Sequence, residues 1–464
     1  MNQPRQTSRR PARVQPARAV AFDVLRAVTE EDAYANLLLP AAIDKARLST
    51  EDAALATELT YGALRKQGTY DAIIALASAR AVTAIDPPVL DALRLGAHQL
   101  LSMRVADHAA VNESVNLAAR AAGRGVTGFA NAVLRTISRS TADEWQDRLA
   151  TQARSDDERL GLRTAHPVWI IRALRRALAA EGREDELDAL LEADNVSPEV
   201  TLVALPGLAE PREPRRPYAP TAFGSPGGDP MRSVADSEGR IRVQDEGSQL
   251  VALALARATS VETGERWLDL CAGPGGKTAL LGAIAQQEGA VLEANEVVPA
   301  RAGLVRRAVA ALPHDVEVHE EDGRTFAAAH PGTFDRILVD APCTGLGALR
   351  RRPEARWRKT PADVAELVTI QEELLASALS ALKPGGIVAY VTCSPHLAET
   401  SGVVTEILRR HTDIETLDAK TVLAAISESP LDMAGVGPFV QLWPHRHGTD
   451  AMFLALLHRP MGDA

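Results

Sequence analysis

The spacing of apolar positions changes character along the chain and divides it into four regions. Residues 1–17 hold Arg5, Arg9, Arg10 and Arg13 among several prolines and no acids, which predicts a disordered basic tail, either solvated or an arm that reaches phosphate. From 18 to 140, leucine and alanine recur at helical spacing through 20–28, 37–46, 53–64 and 90–101, and no alternating strand pattern interrupts them. Ser49 and Thr50 followed by Glu51 and Asp52 make a helix start. Pro87 and Pro88 separate one pair of helices, and Gly123 and Gly125 separate another. The pattern predicts a compact all-α domain of six or seven helices. Between 141 and 260 a charged stretch leads to His166-Pro167-Val168-Trp169 and a further helix. Seven prolines and four glycines then fall within 206–230, which predicts a long loop, followed by a short strand at 240–244. This region reads as a linker with a small accessory subdomain.

Residues 261–464 alternate. Short apolar runs at 267–270, 290–294, 316–319, 336–339 and 386–392 are separated by helical stretches, notably 362–382. Such alternation predicts an α/β domain with an open, mostly parallel sheet and helices on both faces. Two final runs, 439–442 and 451–457, are joined by a Pro/His/Gly turn too short for a parallel crossover, so they pair antiparallel and bring the sheet to seven strands.

Composition narrows the function classes. The 464 residues carry 51 Lys plus Arg against 61 Asp plus Glu, a net charge of −10, which excludes an overall basic coat and leaves any nucleic-acid contact to local patches. Arginine outnumbers lysine 45 to six, so bare arginine counts carry little weight. Three cysteines exclude a disulfide scaffold and fit a reducing cytoplasm. No run approaches the ~20 apolar residues of a membrane span.

Candidate chemistry gathers after the predicted strands. Leu268-Asp269-Leu270-Cys271-Ala272-Gly273-Pro274-Gly275-Gly276-Lys277-Thr278 follows one strand and opens a helix. Its glycines let a ligand approach the backbone, and a helix N-terminus aims N–H groups at it. A phosphate-binding P-loop needs glycine where Cys271 stands, so a nucleoside cofactor is the better reading. Glu296 after the second strand and Asp322 after the third supply carboxylates on the same sheet edge, suited to ribose hydroxyls. Asp340-Ala341-Pro342-Cys343 follows the fourth strand and Thr392-Cys393-Ser394-Pro395 the fifth. Two thiols at corresponding ends of neighbouring strands open into one crevice, where packing alone explains them poorly. No metal-ligand spacing is present. Arg350, Arg351, Arg352, Arg356, Arg358 and Lys359 flank Trp357 just downstream of Cys343, a patch suited to phosphates and a stacked base.

Cys-Ala-Gly-Pro-Gly-Gly-Lys-Thr, Asp-Ala-Pro-Cys-Thr-Gly and Thr-Cys-Ser, in this order, resemble the RsmB/Sun (Fmu) family of 16S ribosomal RNA cytosine-5 methyltransferases, and the helical front half resembles a NusB-type RNA-binding domain. Val243-Gln244-Asp245-Glu246-Gly247-Ser248 and His447-Gly448-Thr449-Asp450 match as well. The sequence departs from the family in its Pro-rich 206–230 segment and in Glu296, where aspartate is usual. The resemblance implies a Rossmann-like class I methyltransferase domain over 261–464, a NusB-like domain over 18–140 and an RNA-contacting accessory region over 141–260. It implies S-adenosylmethionine held by residues 271–277 with Glu296, Arg301, Asp322 and Asp340. It further implies Cys393 as nucleophile and Cys343 assisting release; Asp340 and Lys277 are expected beside the target base, and the charge run places Arg350, Arg351, Arg356, Trp357 and Arg358 on the RNA. The expected enzyme is a cytoplasmic monomer acting on 16S ribosomal RNA. A transfer RNA substrate, or a non-catalytic RNA-binding assembly factor, is the alternative.

Overall fold

A computed structural model describes residues 14–462 apart from 32 and 436. The disorder expected of the basic tail concerns residues outside the described ones up to 13, whereas Pro16 already stands in the first helix. The chain forms two compact units, one of residues 1–171 with 351–358, the other of 172–350 with 359–464.

Seven α-helices occupy 16–137 of the first unit among the described residues: Pro16–Glu30, Ala35–Ala46, Thr50–Arg65, Gln67–Ser78, Pro87–Ser102, Asp107–Ala122 and Thr127–Ile137. Local signals set their ends. The Ser49 hydroxyl accepts the Asp52 N–H, and Pro87 occupies a first-turn position where no N–H is needed. Phe22, Leu25, Leu59, Leu93, Leu117 and Leu134 fill the common core. The buried Arg94 guanidinium is paired, meeting both Asp71 oxygens at 2.7 Å and Asp91 at 2.8 Å. Two further helices, Ala142–Gln152 and Asp156–Thr164, extend this unit.

The second unit holds two sheets. In the smaller, β1 (Thr201–Ala204) lies antiparallel between β2 (Ala222–Gly224) and β3 (Ile241–Val243). The Pro-rich 206–230 segment is therefore not one long loop. It contains β2, whose Phe223 and Ala222 are buried against the rest of the unit, so the prolines frame a strand that the local composition hides.

The larger sheet runs in the order β10 (Val440–Gln441), β11 (Phe453–His458), β8 (Leu382–Thr392), β7 (Phe334–Asp340), β4 (Arg266–Asp269), β5 (Val291–Asn295), β6 (Glu317–His319). β9 (Glu415–Leu417) makes it eight-stranded rather than seven: β9 and β10 pair with successive stretches of β11, the first with 456–458 and the second with 453–454. A three-residue strand with little apolar content gives no periodic signal. β4 through β8 pair parallel and β11 antiparallel to β8. The order reverses beside β4, between it and β7, and ligands of such sheets bind at the carboxyl ends flanking that switch point. The glycine loop leaves β4 and the Asp340–Cys343 turn leaves β7.

Candidate active site

Sequence and topology place five functional segments along one sheet edge. The glycine loop turns from β4 into the helix Gly276–Glu288. Gly275 has φ 102°, which strains any side chain, and a Cβ on Gly273 would lie 2.1 Å from Glu296 Oε2 and displace that carboxylate. Glu296 is 3% exposed; its Oε2 accepts the Gly273 N–H at 3.0 Å and its Oε1 the Val298 N–H at 3.0 Å. Arg301 donates to the Gly273 carbonyl at 2.7 Å and lies 3.4 Å from Glu296, closing this corner. Asp322 caps the helix Gly323–Ala329, and hydrogen bonds from Arg324 hold its carboxyl down at about 2. Asn295, which the sequence did not single out, ties three strand ends by bonding to the Leu270 carbonyl and to both backbone groups of Glu321.

At the switch point Lys277 Nζ donates to Asp340 Oδ2 at 2.8 Å. Burial disfavours the ammonium, but the Asp340 carboxylate, with Cys393 and Asp269 nearby, more than offsets this and raises its pKa. Asp269 is 1% exposed, and its Oδ2 accepts the Thr278 hydroxyl at 2.7 Å. Its Oδ1 is buried without a hydrogen-bond partner among the described residues, and burial lifts the carboxyl to about 7. Cys271 lies in the same loop, its thiol pushed up by burial.

The ends of β7 and β8 bring the other two thiols together, with Cys343 Sγ 3.4 Å from Cys393 Sγ. Backbone bonds lock both turns: Ala341 N–H to the Val391 carbonyl, Gly347 N–H to the Cys393 carbonyl and Ala451 N–H to the Gly347 carbonyl. The hydrogen bond to Cys393, followed by burial, raises the Cys343 thiol well above its usual value. Cys343 thus keeps its proton near neutral pH, within hydrogen-bond reach of the Cys393 sulfur.

The basic run behaves differently from the phosphate-binding patch its composition predicts. Arg350 is buried and donates to the Gly448 carbonyl at 3.0 Å, with Asp450 at 3.4 Å. Within the helical unit, Arg356 is fully buried and donates to the carbonyls of Arg65 and Ala165, each at 3.2 Å. Trp357 Nε1 donates to the Leu64 carbonyl at 2.7 Å, and its ring lies flush on Gly68. Arg358 donates to the carbonyls of Val28 and Ala33. Most of these carbonyls sit at the last turns of the helices Pro16–Glu30, Thr50–Arg65 and Asp156–Thr164, where chain geometry leaves acceptors unpaired and the dipole favours cations. The run caps helices, and Arg351 beside it is partly buried. Arg356→Ala should therefore lower stability by about 2–3 kcal/mol, since it strands buried acceptors. Chemical denaturation measures this. An undiminished stability together with a flattened salt dependence of RNA binding would restore the phosphate-contact reading.

With this geometry in place, the comparisons with known proteins are specific. The family described as 16S rRNA methyltransferase RsmB/F matches residues 256–458, and the NusB family matches residues 15–139. Rv1407 of Mycobacterium tuberculosis, named as a methyltransferase, is 49% identical over 98% of this chain and 99% of its own length. Ribosomal RNA small subunit methyltransferase B of Erwinia tasmaniensis is 31% identical over 95% of this chain and 98% of its own. The crystal structure of PH0851 superposes with a TM-score of 0.79 at 24% identity, over 97% of this chain and all of that one, a likeness of fold. The chain belongs to the RsmB/F family of S-adenosylmethionine-dependent RNA methyltransferases, preceded by a NusB-family domain.

Proposed function

We propose that this protein methylates carbon 5 of a cytidine in 16S ribosomal RNA through a covalent adduct on Cys393. The observation that carries this reading is the pair of sulfurs 3.4 Å apart at the ends of β7 and β8, with the Lys277–Asp340 pair beside them. Carbon 5 of cytosine is a weak nucleophile. The Cys393 thiolate adds to carbon 6, and the electrons of the 5,6 double bond gain enamine character at carbon 5. Asp340 serves as the hydrogen-bond partner of the ring's nitrogen edge, and the charged Lys277 stabilises both the thiolate and the negative charge that the ring gains on attack. S-adenosylmethionine, when bound, supplies an electrophilic methyl group. Once Cys393 has become a thioether it no longer raises the Cys343 thiol, which gives its proton to water, and the Cys343 thiolate then accepts the carbon 5 proton. The double bond re-forms and the carbon–sulfur bond breaks, returning Cys393.

The residues present fit the cofactor. The glycine loop admits close backbone approach, Glu296 and Asp322 stand where ribose hydroxyls are held, and the orphaned Asp269 Oδ1 is an acceptor for the cofactor's ammonium. A carboxyl whose folded-state pKa is raised binds its proton more tightly when folded, so the associated stability is lost as pH rises from about 4 toward the value near 7. An incoming ammonium favours the carboxylate. S-adenosylmethionine binding should therefore tighten as pH rises through about 7. Asp269→Asn should abolish that dependence and weaken binding by about tenfold to a hundredfold, the worth of one hydrogen bond to a charged group. Titration calorimetry across pH is the measurement; a pH-independent affinity equal in both proteins would remove Asp269 from the cofactor site.

The NusB-family domain supplies RNA affinity in this reading, and the enzyme works in the cytoplasm where ribosomal RNA is assembled. Mapping 5-methylcytidine in RNA from cells with and without the protein tests the substrate. One cytidine of 16S RNA should lose its methyl group. Loss from transfer RNA alone would replace the substrate, and no loss anywhere would leave an assembly factor.

A further inference from the structure

A buried carboxylate outside the proposed mechanism joins the two cysteine turns. Glu399 lies in the 3-10 turn Leu397–Glu399, five residues after Ser394, and is 0% exposed. Its Oε1 accepts the Thr344 N–H at 2.8 Å and Gln371 Nε2 at 3.2 Å. Its Oε2 accepts the Thr344 hydroxyl at 2.5 Å and the Ser394 hydroxyl at 2.6 Å. Thr344 directly follows Cys343, and Ser394 directly follows Cys393. Gln371 also donates to the Pro342 carbonyl at 2.8 Å, and the Tyr390 hydroxyl fixes the Glu399 carbonyl at 2.8 Å.

These four donors are neutral, so the charge stays buried on hydrogen bonds alone. Such an arrangement is costly to dismantle, because removing the carboxylate strands several buried groups together. For stability alone, apolar side chains replacing the carboxylate together with its side-chain donors serve as well. What an apolar side chain does not supply is a bond to the residue after each thiol. The two turns come from separate strands and are fastened at their bases by backbone bonds. Glu399 fastens them at the level of the sulfurs.

We propose that Glu399 is a positioning residue for methyl transfer, its carboxylate holding the Cys343 turn in register with the Cys393 turn and so setting the separation of the two sulfurs. The catalytic consequence rests on the covalent reading above; the register itself does not. Glu399 also places negative charge beside Cys343, which adds to the retention of its proton.

Glu399→Ala and Glu399→Gln test this with two readouts. The first is oxidation by diamide, in which the two thiols give up two protons and two electrons to the azo bond and become a disulfide; mass spectrometry follows the Cys343–Cys393 peptide. The second is steady-state kinetics on 16S RNA. Glu399→Ala should slow the disulfide by at least about tenfold and lower kcat by about a hundredfold, while the RNA KM and cofactor affinity stay within about twofold. Glu399→Gln should restore most of both, because its amide oxygen accepts from Thr344 and Gln371 and its amide nitrogen donates to the two hydroxyls. Thermal melting checks that each variant is folded. Should Glu399→Ala not fold, Ser394→Ala removes one arm and carries the oxidation test with a smaller slowing. Wild-type oxidation rates in the folded variants, or a Glu399→Gln no better than Glu399→Ala, would overturn the proposal. A wild type that never crosslinks to 5-fluorocytidine RNA would instead sink the covalent mechanism and leave the oxidation result standing.

Discussion

Cys393→Ala should leave no detectable methylation and no protein–RNA adduct, whereas Cys343→Ala should accumulate protein joined to RNA. The asymmetry follows from the unequal roles that the sulfur pair supports. Removing Cys393 removes the group that adds to carbon 6, and loss of a covalent nucleophile costs on the order of 10⁴-fold or more in kcat. Removing Cys343 leaves attack and methyl transfer intact but takes away the group placed to accept the carbon 5 proton, so elimination fails. The trapped species should run as a slow band on a denaturing gel and release methylated RNA only under forcing conditions. The contact at 3.4 Å adds a second expectation: the two thiols share one hydrogen bond, so removing Cys343 should shift the pH at which Cys393 becomes alkylated. Iodoacetamide kinetics read this directly. An adduct trapped by Cys393→Ala and not by Cys343→Ala would exchange the two roles.

Asp340→Asn should lower kcat by about 10²- to 10⁴-fold, the range of a positioned acid–base partner, and should change the shape of the pH profile. Lys277 is 12% exposed, and burial alone pushes its ammonium toward the neutral form; Asp340 at 2.8 Å reverses that. With asparagine in its place, burial is left with weaker opposition, so the Lys277 pKa falls. The residual activity should then decline at a lower pH than in the wild type as the amine loses its proton. Lys277→Met should remove this limb from the profile altogether. A pH–rate series on the three proteins makes the test. An Asp340→Asn profile that keeps the wild-type alkaline limit would separate Lys277 from the carboxylate's function.

How far the sequence foretold this site depends on the range of the interactions involved. The glycine loop, the Asp340–Cys343 turn and the Thr392–Ser394 turn each follow an apolar run that forms a strand, and topology alone carries strand ends to one edge. Their meeting was legible for that reason. Glu399, Gln371, Asn295 and the orphaned oxygen of Asp269 were not, because each acts through partners that only the folded chain brings near. The Arg350–Lys359 run misled for the same cause. A cluster of arginines around a tryptophan looks solvated or phosphate-bound until the carboxyl ends of three distant helices are seen to receive it. The strands β1, β2 and β9 were missed because three or four residues are too few for periodicity, and pairing with one another, β3 and β11 decides them.

The covalent claim is tested most directly by 16S RNA carrying 5-fluorocytidine at the mapped position, incubated with the wild-type protein and S-adenosylmethionine. Fluorine does not leave carbon 5 as a proton does, so elimination is blocked after methyl transfer and the protein should remain linked to RNA. Digestion and mass spectrometry should then find the methylated nucleotide on the peptide containing Cys393. Methylation of ordinary RNA without any such crosslink, or a nucleotide found on Cys343, would contradict the account.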